Sequence, residues 1–203
     1  MVEKDVTTAI MEVSSHALDL GRVYGTDFDI AIYTNLSQDH LDYHRNMDDY
    51  FRAKSLLFAQ LGNRYTGKRK YAVINKDDPY GEALSRSTPH EVLFYGLDAA
   101  AHVRAENIDF KPARTSFDLV TPSGSIHIQS PLVGKFSVYN MLAAAGAAIC
   151  CSIPLEVIKQ ALESTQGVPG RFETVNVGQD FGVIVDYAHT PDSLENVLKT
   201  VQD

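Results

Sequence analysis

Polar side chains that could hold a divalent metal follow two apolar runs near the amino terminus. Glu12 lies at the end of the run 8–13, and His40 follows the run 29–35. Both runs are interpreted as buried parallel strands, and ligands collect beyond the carboxyl ends of such strands. A carboxylate and an imidazole at neighbouring strand ends could share one divalent ion. The alternative is that Glu12 pairs with a basic neighbour, and that Ser37 or Asp39 caps the next helix with His40 incidental in its first turn.

A lysine on an apolar helix face is the third candidate. The three- and four-residue spacing of apolar side chains predicts a helix over 39–61, and Lys54 falls on the face that carries Tyr50 and Phe58. A buried ammonium is costly unless it is paired or its pKa falls, and a depressed pKa would let the amine react with carbon dioxide. The resulting carbamate is anionic and could ligate a metal. The alternative is a lysine whose stem packs on apolar surface while its ammonium reaches water.

Two further groups of residues could bind a nucleotide. Asn140, in a helix of small residues, could present its amide to a planar base, although such an Asn also serves for capping or packing. Arg171 follows the linker 167–170, while Asp186 and His189 lie at the end of a later apolar run. Across that junction an Arg, an Asp and a His could clamp a phosphate and a ribose. The alternative is an interdomain salt bridge and a strand-end cap.

The elements that must position these residues alternate between strand and helix. Further strands are predicted at 71–75, 91–95, 172–177 and 182–186, and further helices at 14–20, 78–85, 138–151, 154–164 and 191–201. Ser14 and Ser15 could cap the first of these helices. Between 103 and 130 the pattern turns to alternation with polar turns at Pro112 and at 122–124, which indicates an antiparallel meander. The fold class is therefore α/β, with a mostly parallel sheet plus a small antiparallel meander.

Composition narrows the class of protein further. The 203 residues are 44% hydrophobic and 22% charged, as in an ordinary globular protein with a buried core. A net charge of −8 lacks the basic footprint of nucleic-acid binding but is compatible with a nucleotide ligand. Cys150 and Cys151 are adjacent, which favours neither a disulfide nor a metal motif, and they are interpreted as core thiols in a reducing compartment. An acidic start and the absence of a long apolar run predict a cytoplasmic protein without membrane insertion.

The order of the motifs resembles that of the MurE-type muramyl-peptide ligases of the Mur ligase family. The resemblance covers essentially the whole chain, through the segments EVSSHAL, GRV, TNLSQDHLDYH, YFRAKSLLF, INKDDP, FSVYNMLAAAGAA, GVPGRFE and VDYAHTPDSLENVL. It implies an ATP-dependent ligase of peptidoglycan biosynthesis, and hence of cell shape and division. Such a ligase adds the third amino acid, meso-diaminopimelate or L-lysine, to UDP-N-acetylmuramoyl-L-alanyl-D-glutamate through an acyl phosphate. The resemblance also implies Mg²⁺. The chain is further expected to be a monomer with no nucleic-acid partner.

Residue roles come with the resemblance. Glu12 and His40 match Mg²⁺ ligands, and Lys54 matches a carbamylated lysine that holds a second Mg²⁺. Ser14 and Arg22 match positions that contact the UDP-muramyl peptide. The positions that match the ATP side are Asn140, Arg171, Asp186 and, with a weaker match, His189. Lys54 and Arg171 are the residues expected to act in catalysis.

The resemblance also divides the chain and marks departures. Residues 1–168 would form most of a central domain, and 169–203 the start of a Rossmann-like carboxy-terminal domain. Leu20 stands where some members have a substrate-binding Gln, and Ser137 stands where many have an Asn. No Gly-x-x-Gly-Lys-Thr/Ser loop for ATP phosphates occurs in the 203 residues, so the chain alone is expected to be a poor or inactive catalyst. The alternatives are a related ligase, such as a folylpolyglutamate or cyanophycin synthetase, and a non-catalytic nucleotide- or metal-binding module.

Overall fold

A six-stranded sheet forms the centre of the computed structural model, which describes residues 2–38, 42–62, 67–111, 114–175 and 177–202. The strands lie side by side in chain order: β1 (Ile30–Tyr33), β2 (Tyr71–Asn75), β3 (Glu91–Gly96), β4 (Val103–Lys111), β5 (Arg114–Thr121) and β6 (Gly124–Ser130). The first four are parallel, whereas β5 and β6 continue the sheet as antiparallel strands. The predicted α/β class, with a mostly parallel sheet and an antiparallel meander, is confirmed.

Helices cover both faces of this sheet. α2 (Met47–Ala59) and α3 (Gly81–Ser85) lie on one face, and α4 (Lys135–Cys150) and α5 (Leu155–Ser164) lie on the other. α1 (Ser15–Asp19) packs on α2, and α6 (Pro191–Gln202) belongs to the carboxy-terminal segment. Successive side chains of a strand point to opposite faces. In β2, Ala72 and Ile74 accordingly join the core under α2 and α3, while Val73 joins the core under α4 and α5. The parallel part of the sheet is therefore buried on both sides, as its continuous apolar strands require.

Small residues let α4 lie close to the sheet. A Cβ placed on Gly146 would come within 2.8 Å of the Val73 side chain, so a larger residue there would push the helix away. Val138, Leu142 and Ala145 on the same helix are almost fully buried. This close packing fixes the distance between the strands and the start of α4, where Asn140 lies.

Two predicted elements differ from the observed ones. Residues 8–13 are not a strand: they have no ladder partner in the described sheet, whose edge strand is β1, and all of them except the half-buried Val13 are exposed. The helix predicted from residue 39 begins at Met47, because the Asn46 side chain accepts a hydrogen bond from the Asp49 amide at 2.9 Å and caps it there. Residues 39–41 and Pro112 lie outside the described part of the chain.

The carboxy-terminal segment forms a separate small sheet. Strands β7 (Glu173–Val175) and β8 (Val183–Val185) pair antiparallel, and α6 follows them. Phe172, just before β7, packs edge-on against Phe136 of α4, with ring centroids 5.2 Å apart. This contact places the residues after the linker beside the start of α4.

The two cysteines differ from the prediction of two core thiols. Cys150 is half-buried, and burial raises the pKa of its thiol to about 11, but Cys151 caps the end of α4 and is exposed. In the described part of the chain, no helix is long and apolar enough to cross a membrane.

Candidate active site

Lys54 reaches from α2 to the segment that carries Glu12. Its Nζ lies 3.5 Å from the carbonyl oxygen of Val13, at the outer limit of a hydrogen bond, and 5.8 Å from the centroid of the Tyr50 ring. The Lys54 side chain is half-buried, and Glu12 is exposed. Two of the three proposed metal-binding residues therefore come from adjoining segments, although Glu12 lies in irregular chain rather than at a strand end. His40 lies outside the described residues.

The donor set suits a hard cation if Lys54 contributes oxygen. The Glu12 carboxylate and the Val13 carbonyl are oxygen donors, which Mg²⁺ prefers. Among the described residues, no group of three or more His, Cys, Asp and Glu side chains could hold a metal. A carbamate on Lys54 would add two oxygens beside the Val13 carbonyl. The residues present thus fit Mg²⁺ with the modified lysine better than with the bare amine.

Ser14 and Arg22 flank the short helix α1. The Ser14 hydroxyl accepts a hydrogen bond from the Ala17 amide at 3.1 Å, so Ser14 is the N-cap of α1. The backbone amide of Arg22 donates to the Ala17 carbonyl at 2.8 Å, and the Arg22 side chain is exposed. Ser14 lies two residues after Glu12, whereas Arg22 lies just beyond the other end of α1. Ser14 therefore does cap α1, as the alternative interpretation expected. Because the oxygen accepts in this bond, the hydroxyl proton can still be donated to a ligand.

A buried serine and histidine, which the sequence analysis did not select as site residues, lie next to this group. His44 Nε2 is 2.8 Å from the Ser15 hydroxyl, and both side chains are buried. The His44 ring also stacks on Tyr50, with centroids 5.1 Å apart. The signal for His44 in the sequence is its position as the second histidine of the DHLDYH segment, four residues after the proposed ligand His40. No role is assigned to it from the sequence.

Asp77 joins the ends of β2 and β3 to α4. Its carboxylate accepts hydrogen bonds from the amides of Leu97 at 2.6 Å and Asp98 at 3.1 Å, and from the Tyr139 hydroxyl at 2.7 Å. Burial, then the bond to Asp77, raises the pKa of the Tyr139 phenol, so it stays a donor. Gly96 makes the approach possible, because a Cβ there would lie 2.8 Å from the carboxylate.

Asp78 ties the end of β1 to the same loop. It accepts hydrogen bonds from the Tyr33 hydroxyl at 2.8 Å, from the Leu36 amide at 3.2 Å and from the Tyr80 amide at 2.9 Å. The two carboxylates of the INKDDP segment therefore join the carboxyl ends of β1, β2 and β3. In the sequence, Asp78 is identified only as a helix start, although two consecutive acidic residues follow an apolar strand there.

Asn140 sits one residue beyond Tyr139 on α4. Its side chain is exposed, whereas its neighbours Tyr139 and Met141 are half-buried and buried. Since Tyr139 is bonded to Asp77, the exposed amide of Asn140 lies near the carboxyl end of β2. An amide there can donate to and accept from a planar ligand.

The residues after the linker form a second cluster beside α4. Asp186 accepts hydrogen bonds from the Phe172 amide and the Ala188 amide, each at 2.7 Å. The Arg171 guanidinium lies 5.0 Å from the centroid of the Tyr187 ring, which also packs against His189. Arg171 and His189 are exposed. The structure therefore brings Arg171, Asp186 and His189 together, and the Asp186 carboxylate acts as a backbone cap in this arrangement.

The fold and these motifs define the class of protein. Residues 1–148 match the family model of the Mur ligase middle domain, and the chain belongs to that family. A solved structure of a UDP-N-acetylmuramoyl-L-alanyl-D-glutamate–2,6-diaminopimelate ligase superposes with a TM-score of 0.82 at 36% identity. The match covers 98% of this chain and 41% of that one.

Two bacterial ligases of the same name are more similar still. The enzyme of Oceanobacillus iheyensis is 60% identical and that of Bacillus cereus 55% identical, each over 100% of this chain. The chain spans 41% of the length of either relative. The similarity thus extends past the middle domain into the segment that holds Arg171, Asp186 and His189.

Proposed function

We propose that the chain is part of an ATP-dependent ligase that joins meso-diaminopimelate to UDP-N-acetylmuramoyl-L-alanyl-D-glutamate. The observation that carries this proposal is 60% identity, over the whole chain, to a ligase named for that reaction. Diaminopimelate is preferred over lysine because both relatives described above carry it in their names. The protein would then be a cytoplasmic monomer of peptidoglycan biosynthesis, with no nucleic-acid partner.

The chemistry proposed is activation of a carboxylate followed by its capture by an amine. ATP transfers its γ-phosphoryl group to the substrate carboxylate, which gives an acyl phosphate and ADP, and the amine then displaces phosphate. Most of the catalysis in such a step is positioning and neutralisation of charge on the phosphate oxygens. Mg²⁺ would supply that neutralisation when bound. Glu12, His40 and a carbamylated Lys54 are the residues proposed to hold it.

The remaining residues are assigned to the two substrates. Ser14 and Arg22 would hold the UDP-muramyl peptide, because Ser14 lies two residues from Glu12 and Arg22 has an exposed side chain just beyond α1. Asn140 would bind the base from its exposed position on α4. Arg171 would act on the ATP phosphates as a catalytic residue, while Asp186 and His189 would face the ribose. The backbone hydrogen bonds of Asp186 support this placement, because they fix the carboxylate before a ligand arrives.

We also propose a boundary between two domains within the chain. Residues 1–168 would belong to the central domain, and 169–203 to the start of a carboxy-terminal domain. No Gly-x-x-Gly-Lys-Thr/Ser loop occurs in the 203 residues, so we propose that catalysis needs further ligase sequence.

A hybrid ligase tests the function directly. In this hybrid, these 203 residues replace the matching segment of the Oceanobacillus iheyensis enzyme. We expect phosphate release that requires ATP, UDP-N-acetylmuramoyl-L-alanyl-D-glutamate and diaminopimelate together, with little release when lysine replaces diaminopimelate. Release that depends on a folate or a polyamino acid instead would support the related-ligase alternative. An inactive hybrid, combined with calorimetry that detects no Mg²⁺ or nucleotide binding by the chain, would contradict the proposal.

A further inference from the structure

A buried polar pair connects the loop before α2 to the start of α1. The His44 side chain is 2% exposed and the Ser15 side chain 0% exposed, and Nε2 of one lies 2.8 Å from Oγ of the other. The two residues are 29 positions apart in the chain. Buried polar atoms need hydrogen-bond partners, so separating this pair would cost the hydrogen bond between them in a buried setting. The bond therefore fixes the loop relative to α1.

The face of the same imidazole packs on α2. The His44 and Tyr50 rings stack with centroids 5.1 Å apart and an interplanar angle of 23°. Tyr50 and Lys54 are four residues apart, so they are neighbours on one face of the helix. The Tyr50 ring lies 5.8 Å from Lys54 Nζ. His44 thus contacts α1 through its nitrogen and α2 through its ring face.

The connection continues on the other side of Ser15. Ser15 is the first residue of α1 and follows the N-cap Ser14 and Val13, whose carbonyl faces Lys54. Movement of Ser15 would therefore move the Glu12–Val13 segment, and movement of Tyr50 would move Lys54. His44 lies between the two.

We propose that His44 is a positioning residue that, through Ser15 and Tyr50, sets the separation between the Lys54 amine and the Glu12–Val13 segment. The consequence for metal binding rests on the proposed function, whereas the positioning of Lys54 does not. The competing interpretation is that His44 only fills the core. That interpretation predicts that its loss changes stability without any specific effect at Lys54.

Three variants of the full 203-residue chain separate the two interpretations. His44→Phe keeps a flat ring for the stack on Tyr50 but removes the nitrogen, and Ser15→Ala removes the partner hydroxyl. His44→Gln restores a polar group near the position of Nε2. Phe117→Leu is the matched control, because Phe117 is fully buried in β5 within the core on the opposite face of the sheet.

The first measurement is the rate of Lys54 acylation by acetic anhydride, relative to the other lysines, read by mass spectrometry. We expect His44→Phe and Ser15→Ala to raise the Lys54 rate by about threefold or more, because local opening exposes the amine. His44→Gln should remain closer to the natural chain. Phe117→Leu should lower the melting temperature and leave the Lys54 rate unchanged.

The second measurement is Mn²⁺ affinity by electron paramagnetic resonance, with Mn²⁺ as the probe for Mg²⁺. We expect about a tenfold loss in His44→Phe and Ser15→Ala, the size seen when a group that orients a metal ligand is removed. An unchanged Lys54 rate in both variants, or an equal change in Phe117→Leu, would overturn the positioning role. If the natural chain binds no Mn²⁺ but the acylation rates change as expected, the positioning role stands and the proposed metal site fails.

Discussion

The ammonium of Lys54 and the carbonyl oxygen of Val13 lie 3.5 Å apart, although 41 residues separate them in the chain. The Lys54 nitrogen therefore already lies beside the segment that carries Glu12. If Lys54 is carbamylated, the carboxylate added to its nitrogen would lie beside the carbonyl oxygen of Val13 and the segment that carries Glu12. Substitution of Lys54 can therefore test whether a carbamate forms at this position.

Replacing Lys54 with alanine should abolish most activity of the hybrid ligase. We expect a fall of about a hundredfold or more, because losing a metal ligand should cost at least as much as losing a group that orients one. Added acetate or formate should restore part of the rate, because a free carboxylate can occupy the space of the carbamate. Phosphate release with and without the acids measures both effects. Lys68→Ala, at an exposed lysine, is the control. Full activity in Lys54→Ala would rule out the carbamate.

Replacing Glu12 with glutamine should raise the Mg²⁺ concentration that the hybrid ligase needs. The amide keeps the size of the side chain but removes its charge, so we expect the half-saturating Mg²⁺ concentration to rise about tenfold. His40→Ala should act in the same direction. A Mg²⁺ titration of initial rates measures the shift, with Glu3→Gln as the control at another exposed carboxylate. An unchanged titration would remove the altered residue from the metal site.

The elements were easier to predict than the contacts between them. The small residues of α4 and the apolar run of β2 indicated their elements closely, because a single periodicity dominates each. The start of α2 was missed because one capping hydrogen bond, from the Asp49 amide to Asn46, outweighs a longer apolar pattern. Residues 8–13 were wrongly predicted as a strand, because apolar composition alone cannot supply a ladder partner.

The candidate site was only partly visible in the sequence. Lys54 was selected by its place on an apolar face, and the structure brings it to the neighbour of Glu12. The roles of Asp77 and His44 could not be derived in this way. Each depends on which backbone amides or rings approach from distant segments, and no local pattern encodes that approach.

Replacing Asp77 with alanine should loosen the carboxyl edge of the sheet. The substitution removes the acceptor of two backbone amides and of the Tyr139 hydroxyl. Because the loop is exposed and water can compensate, we expect a loss of only about 1–2 kcal/mol in the free energy of unfolding. The Leu97 amide should also exchange faster with deuterium. Tyr139→Phe removes one bond and should cost less than Asp77→Ala; a larger loss in Tyr139→Phe would contradict the assigned role.

Lys70 should make stability depend on pH in the alkaline range. Its side chain is 2% exposed, and its ammonium lies 2.9 Å from a carboxylate oxygen of Asp27 and of Asp29. Burial alone would lower the pKa of Lys70, but the hydrogen bonds to Asp29 and Asp27 outweigh burial and raise it. A raised pKa means that the ammonium contributes its full stability below the unfolded-state value, about 10.4. That contribution is lost as the pH rises through the higher folded-state pKa.

Urea unfolding of Lys70→Met and of the natural chain tests this dependence. Near neutral pH the variant should lose about 2 kcal/mol, below the usual cost of breaking a fully buried pair, because the Asp29 side chain is 60% exposed. The difference between the two proteins should begin to shrink as the pH rises beyond about 10.4, where the lysine of the unfolded chain loses its charge, and should keep shrinking through the higher folded-state pKa. Lys68→Met should match the natural chain at every pH, because Lys68 is exposed. A difference that stays constant or widens at alkaline pH would show that Lys70 stabilises the fold through packing rather than through its charge.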